Sequence, residues 1–269
     1  QARGPAAPGW FALAVAAAWS LHPLNLMPVL LIVQRMESLC HVFVFTGLIA
    51  YLAGRERQRS GRSGAALIIL ALVLCPFIGS LSKESAALLP LYCFLAEACM
   101  FRFETTPGVR DRRLVLGHAL LVFLPATLAL AWLLPRSLDP SSFHSRDFDL
   151  PERLMSEARV VFDYLRWILM PNLRELSLYH DEYVVSRGLL QPPTTLLALL
   201  AAPLSVALAW KLRARRPLVS LGVLWFFAAQ LLTATIIPLE LVFEHRNYFA
   251  SFGVLLAVAD LLLLGASLK

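Results

Sequence analysis

The chain has 269 residues, 58% of them hydrophobic and 16% charged, with a formal net charge of +6 and a mean hydropathy of +0.67. A soluble domain lies nearer half apolar and a quarter charged, so the composition excludes a water-soluble globular protein. The basic excess, 21 Arg against 3 Lys, is spread over short loops and excludes a nucleic-acid-binding patch.

Most apolar residues fall in runs of roughly 16 to 22, close to the ~20 that cross about 30 Å of hydrocarbon as a helix. The pattern predicts an all-α polytopic membrane bundle of about eight transmembrane helices plus one amphipathic interfacial or re-entrant helix. It is expected to form a single membrane domain over 1–269.

A first span is expected over Pro8 to Leu21. His22-Pro23 stops it, because proline cannot continue a helix and pushes the residue before it to extended backbone. Further spans are expected over Ser38 to Ala53, Ala65 to Ser80, Ala86 to Phe101 and Leu114 to Leu134. The polar region 135–193 follows, and in it residues 152–170 read as an amphipathic helix. Glu152, Ser156, Arg159, Asp163 and Arg166 form one stripe at helical spacing; Leu154, Ala158, Val161, Phe162, Leu165, Ile168 and Leu169 form the other. Such a helix suits a membrane surface or a re-entrant position better than a full span. The remaining spans are expected over Thr194 to Trp210, Leu218 to Leu239 and Phe249 to Leu268.

Loops 55–62, 102–113 and 211–216 carry four Lys or Arg each, against Glu56, Glu104 and Asp111. The positive-inside rule makes them cytoplasmic. Alternation then sends four polar segments to the opposite face: His22, Asn25, Gln34 and Arg35; Lys83 and Glu84; the 135–193 region with Tyr179, His180 and Asp181; and Glu240 to Tyr248. Arg, Lys and His beside carboxylates hold phosphate and position an acceptor hydroxyl, and charge at this depth is costly unless paired. The bland alternatives stay open. His22-Pro23 serves as a helix stop, Gln34-Arg35 as a snorkelling helix end, and Lys83-Glu84 as a helix start capped by Ser82 or Ser85. The Arg159, Asp163 and Arg166 stripe reads as a self-paired polar face.

Cys40, Cys75, Cys93 and Cys99 lie in apolar runs without metal-ligand spacing and read as core residues. Glu97 and Asp260 stand alone inside spans, each calling for a neighbouring helix or a segment beyond this sequence. No phosphate loop, nucleophile elbow or zinc motif is present in the sequence.

His22-Pro23-Leu24-Asn25 with Gln34-Arg35, then Leu81-Ser82-Lys83-Glu84-Ser85, then Glu244-His245-Arg246-Asn247-Tyr248 with Ser251 occur in that order. This order resembles the membrane part of the transmembrane and tetratricopeptide-repeat O-mannosyltransferases and their bacterial relatives, of the GT-C class. His245, between Glu244 and Arg246, looks like the bacterial branch. The resemblance implies transfer of a sugar from a polyprenyl-phosphate donor to a protein or glycan hydroxyl, outside the cytoplasm of a bacterial inner membrane. It implies Arg246, Arg35 and Lys83 on the donor phosphate, and Glu244 orienting Arg246 or the sugar. His22 and Tyr248 would line the pocket, and Gln34, Glu84, His180, Asp181 and His245 would share the substrate site. The partners implied are the bilayer, the lipid-linked sugar and the acceptor. No bound cofactor is expected, and the metal requirement stays open. The family's catalytic acidic residue is expected before Gln1 and its tetratricopeptide repeats after Lys269, so the chain is expected to be a partial or split member. Two other readings remain: a non-catalytic membrane scaffold for repeat-bearing partners, and a transporter, for which no inverted repeat is seen in the sequence.

Overall fold

The structure is a computed structural model and describes residues 7–106, 108–177, 179–180 and 182–267. The chain is mostly helical. Its α-helices are α1 (Ala7–Ser20), α2 (Met27–Leu30), α3 (Arg35–Arg59), α4 (Ala65–Ile69), α5 (Cys75–Ser80), α6 (Leu89–Ala96), α7 (Arg112–Ser137), α8 (Leu150–Leu169), α9 (Thr194–Leu212), α10 (Pro217–Ala229) and α11 (Asn247–Ser267). The strands among the described residues are the hairpin β1 (Glu104–Thr106) and β2 (Val109–Arg110).

Among the described residues five helices are long and apolar enough to cross a membrane: Arg35–Arg59, Glu84–Phe101, Arg112–Ser137, Thr194–Leu212 and Glu244–Leu263. A sixth is reached if Gly9–Ser20 and Pro23–Leu30, bent by 62° at the His22-Pro23 break, are taken as one span. Ala65–Ser80 and Pro217–Ala229 are apolar but shorter. The expectation of a continuous span over Leu218 to Leu239 is corrected: the helix ends at Ala229, and residues 230–243 are irregular. Thr233, Thr235, Ile236 and Ile237 are β-branched and Pro238 lacks an N–H, so this stretch holds a helix weakly.

The contacts sort the chain into two compact units. The first comprises Gln1–Leu30, Pro151–Thr235 and Leu239–Lys269; the second comprises Leu31–Leu150 and Ile236–Pro238. In the first unit α10 and α11 approach closely at glycines: a Cβ on Gly253 would stand 2.7 Å from the Gly222 carbonyl oxygen. Small residues let two apolar helices touch backbone to backbone, the usual way helices associate in lipid.

In the second unit α3 runs past the expected end at Ala53 to Arg59. Arg55, counted among the loop cations from sequence, is instead fully buried against Glu97, with Nε 2.8 Å from Oε2 and Nη2 2.8 Å from Oε1. The Tyr51 hydroxyl donates to the same carboxylate at 2.6 Å. Glu97 opens a π-helical turn, Glu97–Phe101, which ends at Arg102 in the left-handed region. Asp111 caps α7 by accepting from the Arg113 N–H at 2.8 Å, and His118 packs edge-on to Tyr51.

Candidate functional site

The site of the first unit is organised by α8. The helix falls close to the predicted 152–170 boundaries, but its buried face carries Arg153, Ser156, Glu157, Val160, Val161, Tyr164, Trp167 and Ile168. Two full charges therefore point inward. Arg153 donates from Nε to the Thr235 carbonyl at 2.9 Å, from Nη1 to Leu239 at 2.5 Å and from Nη2 to Thr233 at 2.7 Å. One guanidinium thus satisfies carbonyls that residues 230–243 would otherwise leave orphaned when they abandon the helix.

Arg153 also stands 2.9 Å from Glu157, whose Oε1 lies 3.7 Å from Arg246. The Arg246 guanidinium spends its own donors on the Glu240 and Leu241 carbonyls, at 2.7 and 2.9 Å. Burial pushes the Glu157 carboxyl up to about 7, against the pull of Arg153 and Arg246. The short distance to Arg153 favours the ionised form, yet neither carboxylate oxygen has a hydrogen bond of good geometry among the described residues. Desolvation therefore sets the direction. The Tyr164 hydroxyl accepts from the Phe243 N–H at 2.8 Å, and burial pushes its phenol up to about 12.

Glu244 turns away from Arg246. Its Oε1 accepts from the Ser177 N–H at 2.5 Å and lies 3.2 Å from His180 Nε2. The imidazole stacks on Trp167 with centroids 5.1 Å apart. An ionised Glu244 makes Nε2 the donor and leaves Nδ1 as the basic nitrogen. His180 lines an open cavity of about 600 Å³ together with Trp167, Glu175, Ser177, Tyr179, Glu182 and Tyr183. Hydrogen bonds from Arg166, Trp167 and Asn172 hold the exposed Glu175 carboxyl down at about 2.

A second depression of about 440 Å³ runs between α8 and α9, lined by Arg159, Asp163 and Arg166 above Phe162, Leu197, Ala198 and Ala201. It is tied to the cavity by two contacts: Arg166 to Glu175 at 2.6 Å and Tyr183 hydroxyl to Asp163 at 3.0 Å. The stripe expected to pair with itself does so only loosely, Arg166 standing 3.9 Å from Asp163. Its two arginines instead crown an apolar groove.

The remaining candidates are placed as follows. His22 commits both ring nitrogens: Nε2 meets the Ile168 carbonyl at 3.0 Å and Nδ1 accepts from the Leu24 N–H at 3.3 Å. His245 is buried beside Phe243. Tyr248 is half-buried, packed on Trp19, whose indole donates to its carbonyl at 2.7 Å. Asp181 lies outside the described residues. Gln34, Arg35, Lys83 and Glu84 belong to the second unit. There Lys83 is paired with buried Glu37, Glu84 and Arg35 are exposed, and Gln34 precedes α3 without capping it through its side chain.

The residues missed from sequence are Arg153, Glu157 and Tyr164. The spacing of Val160, Val161, Trp167 and Ile168, extended backwards by helical steps, reaches both charges. Treating Arg153 and Glu157 as unremarkable charges hid that face. Among the described residues the group able to hold a metal ion is Glu37, Cys40 and His41. Comparison with protein-family models, with curated sequences and with solved structures yields no match to this chain.

Proposed function

We propose that this chain is the membrane core of a GT-C-like glycosyltransferase, moving a sugar from a polyprenyl-phosphate donor to a protein or glycan hydroxyl at the extracytoplasmic face of a bacterial inner membrane. In this reading Ala65–Ser80 and Pro217–Ala229, the latter completed by the irregular residues 230–243, also cross, giving about eight crossings with the bent pair. The observation that carries it is His180, which is paired with Glu244 and lines a cavity whose neighbour is an arginine-lined apolar groove.

In this reading the donor phosphate lies on Arg159 and Arg166 and its isoprenoid chain on Phe162 and Leu197. His180 Nδ1 takes the acceptor's hydroxyl proton as the oxygen attacks the anomeric carbon. The bond to the phosphate oxygen breaks, and the lipid phosphate leaves as an anion facing the arginines. Arg246, expected from sequence on the phosphate, is assigned a framework role because its donors are spent on carbonyls.

The test is transfer from a labelled polyprenyl-phosphate sugar in membranes carrying the chain. His180→Ala is expected to lower turnover roughly 10²- to 10⁴-fold, the usual worth of a positioned base. Arg159→Leu with Arg166→Leu is expected to raise the donor KM. Unchanged turnover in His180→Ala would end the assignment. A scaffold remains the second reading, favoured by how completely Arg153 and Arg246 are devoted to holding backbone. Absence of transfer across a donor panel, with repeat-bearing partners co-purifying, would select it.

A further inference from the structure

In the second unit, three side chains of different chemistry converge on one face at the start of α3. Cys40 Sγ lies 3.3 Å from His41 Nδ1, and His41 Nδ1 lies 3.4 Å from Glu37 Oε1. The three donor atoms all fall within 4.8 Å of one another, and all three residues are buried. Zinc binds imidazole nitrogen and carboxylate oxygen at ~2.0–2.2 Å and thiolate at ~2.3 Å with tetrahedral angles. Neighbouring ligand atoms in such a site are then about 3.3–3.6 Å apart. Both measured edges match that spacing before any ion has drawn the ligands inward. Helical steps of three and four residues produce the convergence, since they bring side chains onto one face.

Lys83 completes the environment. Its ammonium pairs with Glu37 Oε2, leaving Oε1 on the side of His41 and Cys40. Ligating carboxylates in metal sites are commonly held by such an outer partner, which fixes the oxygen presented to the ion. Here the same contact places a cation beside Glu37 at a buried position, where an unpaired charge would be costly. Imidazole, thiolate and a single carboxylate oxygen form a set that suits zinc and its neighbours better than magnesium or calcium, which take oxygen cages.

We propose that Glu37, Cys40 and His41 form a binding site for a zinc-class transition-metal ion, with Lys83 as the outer partner of Glu37. On binding, the Cys40 thiol releases its proton to solvent and its sulfur bonds the metal. The His41 ring proton moves from Nδ1 to Nε2, and Nδ1 exchanges its 2.7 Å contact with the Glu37 carbonyl for the metal. There is no change of oxidation state. The inference uses residues of the second unit alone and stands independently of the glycosyl-transfer reading.

The experiment titrates the purified full chain in detergent micelles with Co(II), whose thiolate-to-metal absorption reports sulfur ligation. One equivalent with that absorption, displaced by Zn(II), is expected. Cys40→Ser abolishes the band and Cys75→Ser retains it, while His41→Ala weakens binding at least tenfold. Lys83→Gln weakens binding through the freed carboxylate without removing the band. X-ray absorption of the wild-type zinc complex needs no variant and should show one sulfur among nitrogen and oxygen neighbours. A chain that takes up no Co(II), a band that survives Cys40→Ser, or a wild-type zinc shell without sulfur overturns the site.

Discussion

Each unit buries an Arg–Glu pair, and the two are built differently. In the second unit Arg55 and Glu97 meet through two parallel hydrogen bonds. Tyr51 closes the remaining side, and Gln58 and the Glu104 carbonyl each take one further guanidinium proton. In the first unit Arg153 turns to three backbone carbonyls, and Glu157 is left with a single close cation and a more distant one. A saturated pair offsets its desolvation and locks helices together. An undersatisfied carboxylate keeps part of that cost and stays sensitive to protons and neighbours. The first arrangement joins the α3 and Glu84–Phe101 segments; the second holds a segment that is not helical.

The comparison can be broken most forcefully at Glu97. Glu97→Ala strands the Arg55 guanidinium in the interior and is expected to cost about 3–5 kcal/mol in denaturant unfolding from micelles. Replacing both partners by apolar residues of similar size should restore most of that stability. A single variant as stable as the parent would show that the pair is no lock.

Glu157→Gln tests the opposite case. A carboxyl at about 7 in the folded chain, above its ordinary value near 4.5, binds more protons folded than unfolded. Its contribution to stability is therefore greatest at low pH and falls as pH rises from about 4.5 to about 7, then levels. The variant should lose that slope and be more stable than the parent above neutral pH, by roughly 3 kcal/mol for a shift of this size. Identical pH profiles for parent and variant would place Glu157 among ordinary carboxylates.

Gly253→Leu, within the first unit, asks whether backbone contact rather than charge holds its helices. The added side chain meets the Gly222 carbonyl and Trp225, and overpacking of this kind costs about 1–3 kcal/mol, read as a lower melting temperature. Arg166→Leu should have the smallest effect. Glu175 is exposed, so folding should hardly change, while its carboxyl should rise from about 2 toward the ordinary range in an NMR titration. A carboxyl that stays low would shift the credit to Trp167 and Asn172.

The helical character and the amphipathic segment were legible because apolar periodicity acts locally. Pro23 stops α1 and residues 150–169 alternate faces whatever the rest of the chain does. The break at Ala229 was not, because an uninterrupted apolar run looks like a span until Arg153, some eighty residues away, captures its carbonyls. The polar cluster at Glu240–Tyr248 was visible as a concentration of charge, but its partners were not. Glu244 went to His180 and Ser177, and Arg246 to the backbone beside it.

By itself, then, the sequence determined what is set by composition and short-range spacing: an apolar helical chain, a helix stop at His22-Pro23 and one two-faced helix. Only tertiary structure decided which charges turn inward, since that depends on whether a partner exists across the fold to offset desolvation. Arg55 found Glu97, Arg153 found three carbonyls, and Lys83 found Glu37 beside an imidazole and a thiol, the latter read from sequence as plain core.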